Sequence, residues 1–137
     1  MKSYGMLVVV AVLAALAPVR VQSTADPSGA YRCDGVSPDG NPYRAAVQIV
    51  RNGDTYIVRW LTPRGLVNVG VGFVKDNTLS VGYVGASAGV VVYHFEGKQM
   101  TGDWTDIEAG GQVYKETLTK LDDGETITLP KPGGPLF

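Results

Sequence analysis

The stretch Tyr43-Arg44-Ala45-Ala46-Val47-Gln48-Ile49-Val50-Arg51-Asn52-Gly53-Asp54-Thr55-Tyr56-Ile57-Val58-Arg59-Trp60-Leu61 decides the fold. Tyr43, Ala45, Val47 and Ile49 share one parity before Asn52-Gly53. Tyr56, Val58 and Trp60 share one parity after it, with Ile57 and Arg59 on the other. Alternation of this kind marks a strand with two unlike faces, because successive side chains point to opposite sides of a sheet. Asn-Gly between two such runs predicts a hairpin, here of type I′, whose central residues both need positive φ.

The same grammar continues in both directions. Gly29–Gly35 reads as the strand before, joined through Ser37-Pro38-Asp39-Gly40-Asn41, where Pro fixes φ and Gly accepts a positive one. After Thr62-Pro63-Arg64-Gly65, Leu66–Val74 alternates Val67, Val69, Val71 and Phe73 against Asn68, Gly70 and Gly72. Thr78–Val84 places Leu79, Val81 and Tyr83 together, and Gly89–Glu96 does the same with Val91, Tyr93 and Phe95. Gln99–Thr105 aligns Met100, Gly102 and Trp104, and Gln112–Lys120 aligns Tyr114, Glu116 and Leu118. No 3.6-residue apolar stripe intervenes. The expectation is an all-β antiparallel meander of eight strands. Eight is the number at which a meander closes into an up-and-down barrel filled by side chains or holding one small ligand. An open meander or a two-sheet sandwich is the alternative.

The ends of the chain read differently. Lys2, the apolar run Met6–Ala17 and small residues at Val21-Gln22-Ser23 or Ser23-Thr24-Ala25 have the layout of a cleaved signal peptide, set at residues 1–23. The run of 12 is short for a bilayer span, which takes about 20 apolar residues, so an uncleaved anchor is the weaker reading and no span is expected in the mature chain. The barrel domain is expected over 24–120. Residues 121–137, rich in Pro and Gly, read as a mobile tail, with Thr126–Leu129 as a brief strand at most. The expected location is the periplasm or the exterior of the cell. Without 1–23, which holds Lys2 and Arg20, ten basic residues face thirteen acidic ones, a net charge of −3. That balance argues against nucleic acid, which calls for a clustered basic surface. Cys33 is the one cysteine, so no internal disulfide is available. A buried thiol is the favoured reading over a disulfide between chains.

Gly29-Ala30-Tyr31, Gly53-Asp54-Thr55-Tyr56 running to Trp60, Gly102-Asp103-Trp104 and Glu116-Thr117-Leu118 together give a pattern over residues 29–120. It resembles a diffuse group of small exported bacterial proteins, mostly of unknown function. That resemblance implies a compact β-barrel and no particular activity. The architecture also looks like that of avidin and lipocalin barrels, which hold small molecules in the barrel mouth. The lipocalin Gly-x-Trp is replaced here by Gly29-Ala30-Tyr31, and no avidin biotin-binding set can be placed.

No catalytic constellation can be assembled, and the chain is not read as an enzyme. His94, the one histidine, falls on the parity of Val92 and Glu96 and is expected at the surface. Ser87 has no visible activator, and no Gly-x-Ser-x-Gly elbow occurs. Cys33 and His94 lack zinc spacing, Asp103, Asp106 and Glu108 follow no EF-hand pattern, and neither metal nor cofactor is expected. The informative set is Tyr43, Tyr56, Trp60, Tyr83, Tyr93, Trp104, Tyr114 and Glu116, all on the parity expected to face inward. The rings form either plain core or an amphipathic pocket with polar tips. Glu116 is expected to close a buried polar network, since an inward carboxylate needs partners. Two functional readings follow. One is a barrel binding a small amphipathic ligand near Tyr56, Trp60 and Trp104. The other is an interaction or inhibitor domain meeting an envelope or secreted protein through Gly85–Ala88, Asp106–Gly111 and the tail.

Overall fold

The computed structural model describes residues 25–127. The expected signal segment and residues 128–137 of the expected tail lie outside the described residues. Eight strands run in chain order: β1 (Gly29–Val36), β2 (Pro42–Asn52), β3 (Thr55–Thr62), β4 (Gly65–Lys75), β5 (Thr78–Val84), β6 (Ala88–Glu96), β7 (Gln99–Asp106) and β8 (Tyr114–Lys120). Each pairs antiparallel with its neighbours, and β1 pairs with β8, so the meander closes into an up-and-down barrel. No helix occurs among the described residues. Closure leaves no free strand edge, which matters for a chain this rich in β-branched residues.

The two ends of the barrel are built differently. At one end the strands join through two-residue turns at 53–54, 76–77 and 97–98. Here the register corrects the turn type. Asn52 pairs with Thr55, so Gly53 and Asp54 are the central residues. Positive φ occurs at Gly53 (62°), and Asp54 has none, which is the φ pattern of type II′ rather than I′. Asp76 (54°) and Gly97 (65°) hold the same first position in their turns. This is the hairpin end. The other end, the mouth, is formed by 37–41, 63–64, 85–87 and the longer loop 107–113.

Alternation sends Tyr31, Cys33, Val47, Ile49, Tyr56, Val58, Trp60, Leu79, Val81, Val91, Tyr93, Met100 and Leu118 into one core. Cys33, Val58, Leu79, Tyr93 and Leu118 are fully buried. Burial at roughly 25 cal/mol per Å² of apolar surface makes this lumen the main source of stability. Strand β4 departs from the pattern. Its apolar parity, Val67 to Phe73, faces out, and Gly70 and Gly72 face the lumen. The register with β3 and β5 fixes this choice. The lumen also requires it: a Cβ on Gly70 would stand 2.7 Å from Val81 Cγ1.

The hairpin end is stoppered by the chain itself. Pro27 is buried, and its carbonyl accepts a 2.8 Å hydrogen bond from the Tyr31 hydroxyl. The first residues after β8 are also tied there. Leu121 N donates to Ala30 O, and Asp122 forms a 2.6 Å ion pair with Lys98. Residues 121–127 add no strand.

The turn assignment has a measurable consequence. Gly53→Val places a β-branched residue at a φ that costs roughly 1–2 kcal/mol. Urea unfolding should show a loss of about that size, with the m-value unchanged.

Candidate functional site

One row of residues runs across five adjacent strands and organises the half of the lumen nearer the mouth. Tyr43 on β2 pairs with Gly35 on β1, and Gly35 pairs with Glu116 on β8. Glu116 pairs with Gly102 on β7, and Gly102 pairs with Tyr93 on β6. The two glycines give the two tyrosines room to lie over the intervening strands. A Cβ at Gly35 would fall 2.8 Å from Tyr43 Cε1, and one at Gly102 would fall 2.6 Å from Tyr93 Cε1. Each phenol thereby reaches the carboxylate in the middle.

Glu116 is 7% exposed. Its Oε2 accepts from Tyr43 OH at 2.5 Å and from Cys33 Sγ at 3.3 Å, and its Oε1 accepts from Tyr93 OH. No basic side chain joins the cluster. Three neutral donors on two oxygens supply what water would otherwise give, which is how a buried carboxylate escapes its desolvation cost. Burial pushes the phenols of Tyr43 and Tyr93 and the thiol of Cys33 well up, and the neighbouring Glu116 carboxylate adds to it. The donors therefore keep their protons far into the alkaline range. Cys33 is buried and donates to this carboxylate, which makes it a member of the network.

The remaining expected site residues sort by height in the barrel. Trp60 and Tyr83 pack with ring centroids 5.6 Å apart, and Trp104 and Tyr114 with centroids 5.1 Å apart. Tyr83 OH donates to Thr105 O and Tyr114 OH to Gln112 Oε1, both at the mouth. Tyr43, Tyr83, Trp104 and Tyr114 are partly exposed, while Trp60 is buried. Trp104 Nε1 is itself buried, and no hydrogen-bond partner for it occurs among the described residues. Tyr56 stands apart. It pairs with Arg51 and Gly72 near the hairpin end, so it does not share a pocket with Trp60 and Trp104.

The loop 107–113 lies at this end. Ala109 is buried, whereas Ile107 and Val113 are among the most exposed apolar side chains. Val36, Leu66 and Val84 add exposed apolar surface to the same rim. His94 is exposed on the outer wall. Asp103 is paired with Lys115, and Asp106 accepts the Glu108 backbone N–H. Among the described residues no three His, Cys, Asp or Glu side chains converge as metal ligands.

Sequence reasoning found Glu116 and the tyrosines by parity. It missed Cys33 as a donor and Gly35 as the gap beneath Tyr43. The signal for both was present: Gly35 lies at an inward position of β1, two residues after Cys33. No family model matches the chain, and no curated protein matches it.

Two outcomes follow from the network. Tyr93→Phe leaves Glu116 Oε1 without its donor and should cost roughly 1–3 kcal/mol in chemical denaturation, and Glu116→Gln, which turns an acceptor into a donor facing other donors, should cost a similar amount. The pH dependence follows from the raised values. In the unfolded chain Cys33 ionises near 9.0 and the tyrosines near 10.0, while in the fold Tyr83 is pushed up to about 12, chiefly by burial, and Cys33 well above 9.0. Between those limits the unfolded chain holds fewer protons, so stability falls as pH rises. Urea midpoints should be flat up to about pH 8.5 and decline steadily from pH 9 to 11.

Proposed function

We propose that this protein is an exported binding barrel that holds a small amphipathic molecule at its mouth. The observation that carries the reading is the Trp104 indole N–H, buried beside Tyr114 with no partner among the described residues. A buried donor left unpaired costs roughly 1–3 kcal/mol, which a structural role alone does not repay. A ligand acceptor at that point would repay it. The surroundings suit such a ligand. Aromatic walls come from Trp60, Tyr83, Trp104 and Tyr114, and polar tips come from Tyr83 OH and Tyr114 OH. Few placed polar groups within apolar walls is the usual make-up of a small-molecule site.

The packed lower lumen limits depth, so the ligand sits in the mouth and is partly covered by 107–113. Glu116 serves this site from beneath, fixing Tyr43 and Tyr93 without spending an oxygen on the ligand. In this reading residues 1–23 direct export, and no chemistry is done on the bound molecule. The exposed Val36, Leu66, Val84, Ile107 and Val113 favour a second reading, in which an envelope or secreted protein is met by the same rim. Rigid scaffolds with variable end loops lend themselves to this use.

Trp104→Phe separates function from folding. It removes the unpaired N–H while keeping an aromatic ring, so stability should be unchanged or rise by about 1 kcal/mol. Native mass spectrometry of the protein recovered from its own cell envelope should show an added mass of roughly a few hundred daltons in the unaltered chain, reduced or lost in the variant. An equal adduct in both would remove Trp104 from the site. A bare mass in the unaltered chain, with no change in Trp fluorescence on adding an amphipathic aromatic probe such as anilinonaphthalene sulfonate, would overturn the binding reading.

A further inference from the structure

We infer that the outer face of β4 and β5 is the interface of a two-fold symmetric dimer of this chain. The face is apolar where the other flank of the barrel is charged. Val67, Val69, Val71 and Phe73 point outward from β4, Val84 from β5 and Val90 from β6, with Phe73 54% and Val84 57% exposed. On the opposite flank Arg32 and Arg44 both pair with Asp34, and Lys115 pairs with Asp103. The described residues cover nothing of the β4–β5 face.

Its relief is self-complementary. Gly82 on β5 leaves a notch: a Cβ there would meet nothing within 4 Å. The notch is lined by Ile57, Val69, Val71 and Val84. Gly82 lies opposite Val71 on one side and Val90 on the other. Phe73, the largest exposed side chain of the face, lies diagonally across from Gly82, because it pairs with Ser80 two residues earlier on β5. Diagonal neighbours of this kind are about 7–8 Å apart. Knob and hole therefore stand side by side. A two-fold axis parallel to the sheet and midway between them sets each Phe73 ring opposite the other copy's Gly82. An isologous contact of this kind closes after two copies and leaves no open surface for further growth.

Charge and area agree with that occupant. No charged side chain lies inside the patch. Arg59, Lys75 and His94 stand at its margins. The exposed apolar side chains amount to roughly 500 Å² per copy, and pairing two copies would bury about 1,000 Å², the size at which specific interfaces begin.

The test is sedimentation velocity of the processed full chain over a concentration series, with Phe73→Asp and Gly82→Val alongside. Both substitutions lie on the outer wall, and thermal melts serve to check that both variants fold. Phe73→Asp removes the knob and adds like charges, and Gly82→Val fills the hole. The unaltered chain should move from monomer to dimer as concentration rises. Each variant should weaken that association about tenfold or more. A monomer at every concentration, or a dimer insensitive to both substitutions, overturns the assignment. Monomer together with co-sedimentation on phosphatidylcholine vesicles, lost in Phe73→Asp, would give the face to a lipid surface instead.

Discussion

A single buried carboxylate sets the terms for the half of the barrel nearer the mouth. Glu116 stands in the lumen without a cation, and two phenols and a thiol hold it there. Satisfying it with tyrosines from β2 and β6 is a geometric demand, because each must cross an intervening strand. Gly35 and Gly102 meet that demand by offering bare backbone under the rings. Five of the eight strands are thus bound to one register by one ionisable group. A slip of any strand by one residue would turn its inward residue to solvent and leave an acceptor or a donor stranded. Hydrophobic packing supplies most of the stability, but it tolerates rearrangement, whereas a saturated polar network does not.

The strand order and the inward residues of most strands were legible because alternation and short turns state them directly. The hairpin end was nearly complete in the sequence. Its turn type was not: Asn52-Gly53 points to type I′, whereas the register makes Gly53 and Asp54 the central residues and gives type II′. Strand β4 shows where local reading fails. Its valines and its glycines are equally regular, and nothing within 66–74 says which set is inside. The answer comes from neighbours: Tyr56, Trp60, Val81 and Tyr83 already occupy the lumen, so β4 contributes glycines and turns its valines outward. The candidate site was legible as a list of residues and not as groups. Parity put Tyr56 with the others, while the height of a residue along a strand, which separates it from Trp104, depends on the register of the whole barrel.

The two ends of the barrel differ in chemistry as well as in turn length. The hairpin end carries Asp54, Asp76, Asn77 and Lys98 and is stoppered by Pro27. The mouth carries partly exposed aromatic rings and a rim of Val36, Leu66, Ile107 and Val113.

The seam between β1 and β8 also governs the order in which this chain can become native. Seven of the eight strand pairings join neighbours in sequence and form by local zippering. The eighth joins Cys33 to Leu118 and Gly35 to Glu116. Contacts of such long range are the slowest to form, because loop-closure entropy is lost before any contact repays it. Until the seam shuts, β1 and β8 are bare edges, and the carboxylate of Glu116 faces water rather than Tyr43 and Cys33. The contacts that satisfy Glu116 across the seam are therefore made only when the cylinder closes. The residue that anchors the completed fold is thus among the last to find its partners on β1 and β2.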